Sequence, residues 1–397
     1  MNFIKAIRLI IILSIFVAFG SCQSSIEDPS LTVKNIGKDQ LMTLNFKEIK
    51  DSIQVNISAF ATDFEFVTLE TRPECLLNYA WCLITGKYIL CNAGDAGILQ
   101  FSRDGKFIRK LVSYGKGPIE FERMTQWAVD EEKQILYLTT FGKAGYFMSF
   151  NLTTGSYLNN IPNAVPSYAL NMLLTQKGEL LCVPYKKPVS GQPSYLLYYQ
   201  TPEGVLTGSI QGPDGNFITT GTTLYQFENE YRFSQMNDDT LFTIRNYQLI
   251  PYLSYNYGEP NPIGTDREGY KRTRVNFEAK NFIFMNLFKI VSVERTANST
   301  SSRGAATWFC LDKTQKKVFL MKDIYNDITG SGIPSQDIQV QPDGTVYIAY
   351  QAIDLKEIAE KAMADPKISA DLRQRLEKIN RQIKPDDNPV LLVGSLK

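Results

Sequence analysis

The sequence predicts an all-β fold: a six-bladed β-propeller with a C-terminal helical insertion in the last blade. Three observations carry this. From about residue 60 to 350, short runs of Ile, Leu, Val, Tyr and Phe alternate with Gly, Asn, Asp and Pro, and their side-chain period is two. A unit of strand, polar turn and strongly apolar strand recurs at roughly 42–63-residue intervals, which is blade spacing. A single alternating strand, Phe64–Glu70, stands before the first unit and could complete the last blade. A four-stranded blade cannot bury both faces alone, so neighbours must sandwich it and the ring must close.

In chain order, residues 1–21 read as an export leader. Lys5 and Arg8 precede the apolar run Leu9–Phe19, and the small residues Gly20 and Ser21 lead directly to Cys22. This resembles a bacterial lipoprotein signal, in which Cys22 is lipidated and becomes the new N-terminus. An ordinary secretory peptide with a chance Cys is the alternative. The run is shorter than the roughly 20 apolar residues that span a bilayer. Residues 22–45 read as a flexible tether, and 46–397 as the propeller.

The units are Trp81–Leu90, Trp127–Leu138, Met172–Leu181, Phe233–Phe242, a degenerate copy around 281–293, and Ile338–Ile348. Their partner hairpins include 97–108, 145–158 and 195–206. The turns Arg103-Asp104-Gly105-Lys106 and Pro342-Asp343-Gly344-Thr345 supply Asp to start a turn and Gly for positive φ.

Composition bounds the chemistry. The chain has 397 residues, 42 Lys plus Arg and 41 Asp plus Glu. That near-neutral balance, with no basic stripe, gives no electrostatic footprint for nucleic acid. There is no histidine. Ser-His-Asp and Cys-His nucleophiles and every His-ligated metal site are therefore excluded. Cys75, Cys82, Cys91, Cys182 and Cys310 are odd in number and lack C-x-x-C spacing. They read as buried thiols, with a Cys75–Cys82 or Cys82–Cys91 bridge as the alternative in an oxidising compartment. No cofactor or metal is expected.

Four segments carry a family resemblance: Phe66-Val67-Thr68-Leu69-Glu70-Thr71, Gly115-Lys116-Gly117-Pro118-Ile119-Glu120-Phe121, Asn237-Asp238-Asp239-Thr240-Leu241-Phe242 and Asp387-Asn388-Pro389-Val390-Leu391-Leu392. In this order they resemble the six-bladed β-propeller lipoproteins of Gram-negative gut-type anaerobes, related in shape to NHL-repeat propellers. The resemblance covers residues 60–397. It implies fold and address, with no catalytic residue to carry over.

Residues 354–383 break the β pattern. Leu355, Ile358, Ala359, Ala362 and Met363, then Leu372, Leu376, Ile379 and Ile383, fall at helical spacing, and Ser369 is placed to cap the second helix. The pair reads either as a structural flap or as a lid or docking surface.

Loops that join one blade to the next meet near a propeller's axis. Those predicted here, 113–123, 160–168, 222–232, 266–276 and 326–336, carry Tyr114, Lys116, Glu120, Arg123, Tyr168, Arg232, Arg272, Arg274 and Asp327. Converging Arg and Tyr side chains would suit an anionic or hydroxyl-rich ligand. Solvated loop residues and inter-blade ion pairs are the alternative. The expected role is a membrane-tethered, exported binding module for a glycan, peptide or protein, lipid-anchored to the outer membrane on its periplasmic or outer face. The alternatives are a scaffold subunit of an outer-membrane complex or a His-independent lyase or glycosidase.

Overall fold

The strands are organised by burial on both faces. The computed structural model describes residues 28–143, 145–165, 167–185, 194–212, 222–235, 238–264, 267–296 and 300–397. The leader and Cys22 lie outside the described residues. Before the ring come β1 (Leu31–Ile36), β2 (Asp39–Asn45), β3 (Ser52–Asn56) and β4 (Ala61–Thr68). Blade 1 is β5 (Trp81–Ile84), β6 (Tyr88–Asn92), β7 (Ile98–Ser102) and β8 (Phe107–Val112). Blade 2 is β9 (Met124–Asp130), β10 (Ile135–Thr140), β11 (Tyr146–Asn151) and β12 (Tyr157–Pro162). Blade 3 is β13 (Ala169–Leu174), β14 (Leu180–Pro184), β15 (Tyr195–Gln200) and β16 (Leu206–Gln211). Blade 4 is β17 (Thr223–Phe227), β18 (Glu230–Ser234), β19 (Thr240–Arg245) and β20 (Gln248–Asn256). Blade 5 is β21 (Lys271–Glu278), β22 (Phe282–Arg295), β23 (Thr300–Asp312) and β24 (Lys317–Asn326), with β25 (Ser331–Ile333) added at its rim. Blade 6 is β26 (Gln339–Val340), β27 (Thr345–Tyr350) and β28 (Val390–Leu396), and β4 supplies its fourth strand.

That last pairing closes the ring: Leu391 faces Val67 and Leu392 faces Phe66 across an antiparallel ladder. Consecutive residues on a strand point to opposite neighbours. Leu136 and Leu138 pack toward blade 1 while Tyr137 packs toward blade 3. Leu391 and Val393 pack toward blade 1 while Val390 and Leu392 pack toward blade 5. Among the described residues, a separate apolar core fills each junction: blades 1–2, 2–3, 3–4, 4–5, 5–6 and 6–1. Strands buried on both sides read as unbroken apolar runs, which is why the units stand out in the sequence.

Three expectations need correction. Residues 22–45 were expected to be a flexible tether, but 31–45 form the hairpin β1–β2, whose second strand runs parallel to β20. Leu31 and Leu44 are buried there, and Asp39 pairs with Arg245 at 2.8 Å. The alternation around Gly37, at φ 62°, carried that signal. The fourth unit, Phe233–Phe242, covers β18 and β19, one strand out of frame. The true first turn of blade 4 lies at Glu228-Asn229, with φ 53° at Glu228 and no glycine to mark it. The copy at 281–293 is one long strand, β22, and not a hairpin.

The Arg103–Lys106 turn behaves as read. Gly105 sits at φ 88°, and a Cβ there would lie 2.2 Å from the carbonyl oxygen of Thr68 on the closing strand. Gly105→Ala is expected to cost about 2 kcal/mol or more, from left-handed backbone strain plus the clash. Equilibrium denaturation checks this, and an unchanged midpoint would contradict the close approach.

Between β27 and β28 lie α1 (Ala352–Ala364) and α2 (Ala370–Gln382). Ser369 Oγ accepts from the Leu372 amide, as expected for an N-cap. Leu355, Ile379 and Ile383 enter the core between blades 5 and 6, and Ala359, Ala362 and Leu376 fill the space between the helices. Lys356 Nζ donates to the Asn380 carbonyl at 2.9 Å and the Ile383 carbonyl at 3.3 Å, satisfying the end of α2. The pair is packed on the ring as a flap. The five cysteines outside the leader are buried free thiols, and Cys82 faces Cys91 directly across β5–β6.

Candidate functional site

The first strand of each blade is a sheet edge, so half of its backbone groups point at the axis without a ladder partner. Neighbouring blades satisfy them with side chains. Gln341 accepts from the Ile84 amide at 2.9 Å and donates to its carbonyl at 3.3 Å, linking blade 6 to blade 1. Tyr347 OH does the same for Cys82, at 3.0 and 2.9 Å. The Gly86 amide donates to Glu131 at 3.1 Å, and Gln126 Nε2 to the Leu170 carbonyl at 2.8 Å. Asn171 Nδ2 donates to the Thr222 carbonyl at 3.2 Å.

Between blades 4 and 5 the link is ionic. Glu278, at the end of β21, has a fully buried carboxylate. It accepts from Tyr225 OH at 2.9 Å, Tyr252 OH at 2.7 Å and Lys313 Nζ at 2.6 Å, and Arg232 Nε lies 3.5 Å away. Burial, then the Glu278 charge, pushes the Tyr225 phenol up, so it stays a donor. Burial pulls the Arg232 guanidinium down, but Glu278 and Glu230 outweigh it and the net direction is up. Arg232 also lies over the Tyr252 ring, 4.0 Å from its centroid.

Inside the ring lies a cavity of 520 Å³. Its walls come from β5, β9, β13 and β26, with Gln226 of β17. A smaller space of 110 Å³ adjoins it beside β17 and β21, sharing Leu173, Gln226, Val340, Gln341 and Pro342. Apolar liners include Leu83, Val129, Met172 and Leu174. Trp81 and Trp127 sit side by side, with ring centroids 5.4 Å apart and planes at 46°. Trp81 is 37% exposed and Trp127 7%. Glu131, Thr175, Gln176 and Asp343 belong to the turns between first and second strands. The cavity therefore reaches the end of the ring opposite the blade-to-blade loops and the helix pair.

None of the nine residues expected at the mouth lines this cavity. Tyr114 bridges to Phe121 within its own loop. Lys116 projects into solvent, 3.6 Å from Glu122. Glu120 accepts from the Gly117 amide at 2.8 Å. Arg123 covers the Phe141 ring, and Tyr168 packs on the same ring and accepts from the Gly142 amide, so these two share Phe141. Arg232 is buried on β18 in the ionic link and is not a loop residue. Arg272 and Arg274 lie on β21, with Arg272 over Phe288. Asp327 accepts from the Ser58 amide at 3.2 Å and holds the segment before β4. The missed frame of blades 4 and 5 moved three of these arginines off the loops. The tryptophans were visible as the first residues of two unit copies, but strand position alone did not say they faced the axis.

The family described as a domain of unknown function (DUF4934) matches residues 41–395. Among curated proteins, none matches the chain. A solved structure described as an exported protein, from Bacteroides fragilis NCTC 9343, is 15% identical at TM-score 0.60, over 90% of this chain and 99% of that one. At that identity the likeness shows the fold. A structural-genomics protein of unknown function from Bacteroides thetaiotaomicron is 11% identical at TM-score 0.40, covering 88% and 76%. BamB from Moraxella catarrhalis is 12% identical at TM-score 0.36, covering 72% and 75%.

Proposed function

The chain belongs to the DUF4934 family, and on that premise, which brings no activity with it, we propose that it is an exported, lipid-anchored binding module. Its axial cavity captures the ligand: a glycan, a peptide or part of a protein partner. The observation that carries this is the tryptophan pair set in a cavity of ligand size whose wall is shared by several blades. The two carboxylates that line it favour binding over glycosidase chemistry. Glu131 is tied to the Gly86 amide and Asp343 to the amide and hydroxyl of Thr345, so each already serves a turn. A general acid and base pair would need both groups free to face a scissile bond.

Trp81→Ala tests the site. Binding of a captured ligand, read by calorimetry, is expected to weaken about tenfold or more. Unchanged affinity would remove the cavity from the account. The anchor rests on Gly20-Ser21-Cys22 and the charged, apolar leader before them. Cys22→Ser is expected to move the protein from the membrane fraction to the soluble fraction, because acyl chains supply the membrane affinity. Retention of the variant on membranes would refute lipidation at Cys22.

A second reading is a scaffold subunit, and one feature favours it. Residues 300–308 of β23 pair with β22 on one side and, among the described residues, with no strand on the other. Such an edge can accept a partner's strand. Co-purification from solubilised membranes, with and without a proline at position 305, would test it.

A further inference from the structure

The proposed axial site has a polarity that the loop arginines did not foretell. Gln126, Gln226 and Gln339 all line the cavity. Each donates its Nε2 to a backbone carbonyl: Leu170 at 2.8 Å, Glu228 at 2.9 Å and Gln336 at 3.1 Å. A carbonyl can only accept, so each contact fixes which end of the amide is the nitrogen, and each Nε2 keeps a second N–H. The three Oε1 atoms are left as acceptors, with no protein donor among the described residues. Glu131 and Asp343 add carboxylate oxygens, and neither has an Arg or Lys at ion-pair distance among the described residues. No Lys or Arg lines the cavity. Lys87, Lys133 and Lys177 stand on turns at the same end but are not among its liners, and Lys133 pairs with Asp130 at 3.4 Å.

A site lined by two carboxylates, acceptor oxygens and two indoles, with no Lys or Arg among its liners, selects a ligand that donates and carries positive charge. We infer that the axial cavity takes an organic cation, an ammonium or guanidinium group on an apolar stem, as carried by a polyamine or a basic peptide side chain. The inference rests on the cavity being the binding site. Trp81 and Trp127, both liners and 5.4 Å apart between ring centroids, are the aromatic groups on which the cation would rest. Leu83, Val129 and Met172 line the wall beside which the stem would lie. An anion would meet no positive group there. A neutral sugar could use the acceptor oxygens, the spare amide N–H groups, the indole N–H groups and the Thr175 hydroxyl, but would gain nothing from the Glu131 and Asp343 charges.

The test uses the mature chain in detergent with three small probes, cadaverine and agmatine as cations and glutarate as the anion, and with maltose as a larger neutral polyol. Calorimetry and tryptophan fluorescence report binding. Both cations are expected to bind and to perturb the fluorescence, while glutarate and maltose do not. The double variant Glu131→Gln, Asp343→Asn keeps the acceptor oxygens for Gly86 and Thr345 while removing the charge. It is expected to bind the cations about tenfold more weakly at an unchanged melting temperature. Raising the salt concentration should weaken wild-type binding in the same direction. Cation affinity untouched in the double variant, or no cation binding at all, overturns the inference. Maltose binding that Trp81→Ala abolishes, with the cations silent, overturns the cation and leaves the cavity as the site. Probe binding that Trp81→Ala leaves untouched sinks both.

Discussion

Replacing Glu278 with alanine is expected to destabilise the propeller by about 3–5 kcal/mol, because it removes one partner from a buried ionic cluster. The carboxylate has no solvent exposure, and four groups from two blades converge on it. Tyr225, Tyr252 and Arg232 belong to blade 4, while Lys313 follows β23 of blade 5. Without the carboxylate, Arg232 stays 5% exposed with Glu230 as its one ion-pair partner among the described residues, and two phenols lose their acceptor. Glu278→Gln separates charge from hydrogen bonding. It keeps an acceptor for one or both tyrosines and is expected to fall between the wild type and the alanine variant. Urea denaturation of the three proteins measures this. A loss below about 1 kcal/mol for the alanine variant, the range of an exposed pair, would mean that the cluster does not hold blades 4 and 5 together.

Asn388→Ala is expected to cost about 3 kcal/mol, from buried hydrogen bonds of roughly 1 kcal/mol each plus the penalty on the groups left unpaired. Asn388 is 3% exposed. Its Oδ1 accepts from the Leu77 amide at 2.8 Å, and its Nδ2 donates to the carbonyls of Glu70 at 2.7 Å and Cys75 at 2.8 Å. The side chain thus ties the start of β28 to the segment between β4 and β5, across the point where the two ends of the ring meet. Asn388→Asp keeps the acceptor but replaces two donated bonds with charge against carbonyls, and should be no better than alanine. Thermal unfolding reads both variants, and midpoints equal to wild type would show that the clasp contributes nothing to closure.

Much of the ring was legible because strands buried on both faces leave unbroken apolar runs. Leu136-Tyr137-Leu138 and Val390-Leu391-Leu392 each feed two neighbouring cores. Closure by the early strand was legible from its alternation at Phe64–Glu70, and the helix pair from its change of period. Blade 4 was misframed because its tight turns carry Glu228 and Asn246-Tyr247 at positive φ where a glycine would have been the signal. The hairpin at 31–45 was missed because its outward residues are polar and resemble a tether. The cavity was not legible at all. Gln126, Gln226 and Gln339 are unremarkable in sequence, and only the ring brings them to one cavity. Of the arginines expected at a mouth, Arg232 belongs to the inter-blade ion cluster and Arg272 and Arg274 to strand β21 instead.

The cavity exists only if β4 is the outer strand of blade 6. Amide hydrogen exchange of the exported domain tests this most directly. Residues 61–68 should exchange in the slowest class, together with 390–396, through global unfolding of the ring. Rapid exchange of 61–68 by local opening, while 390–396 stay protected, would mean that the ring is open there and that no enclosed axial site is formed.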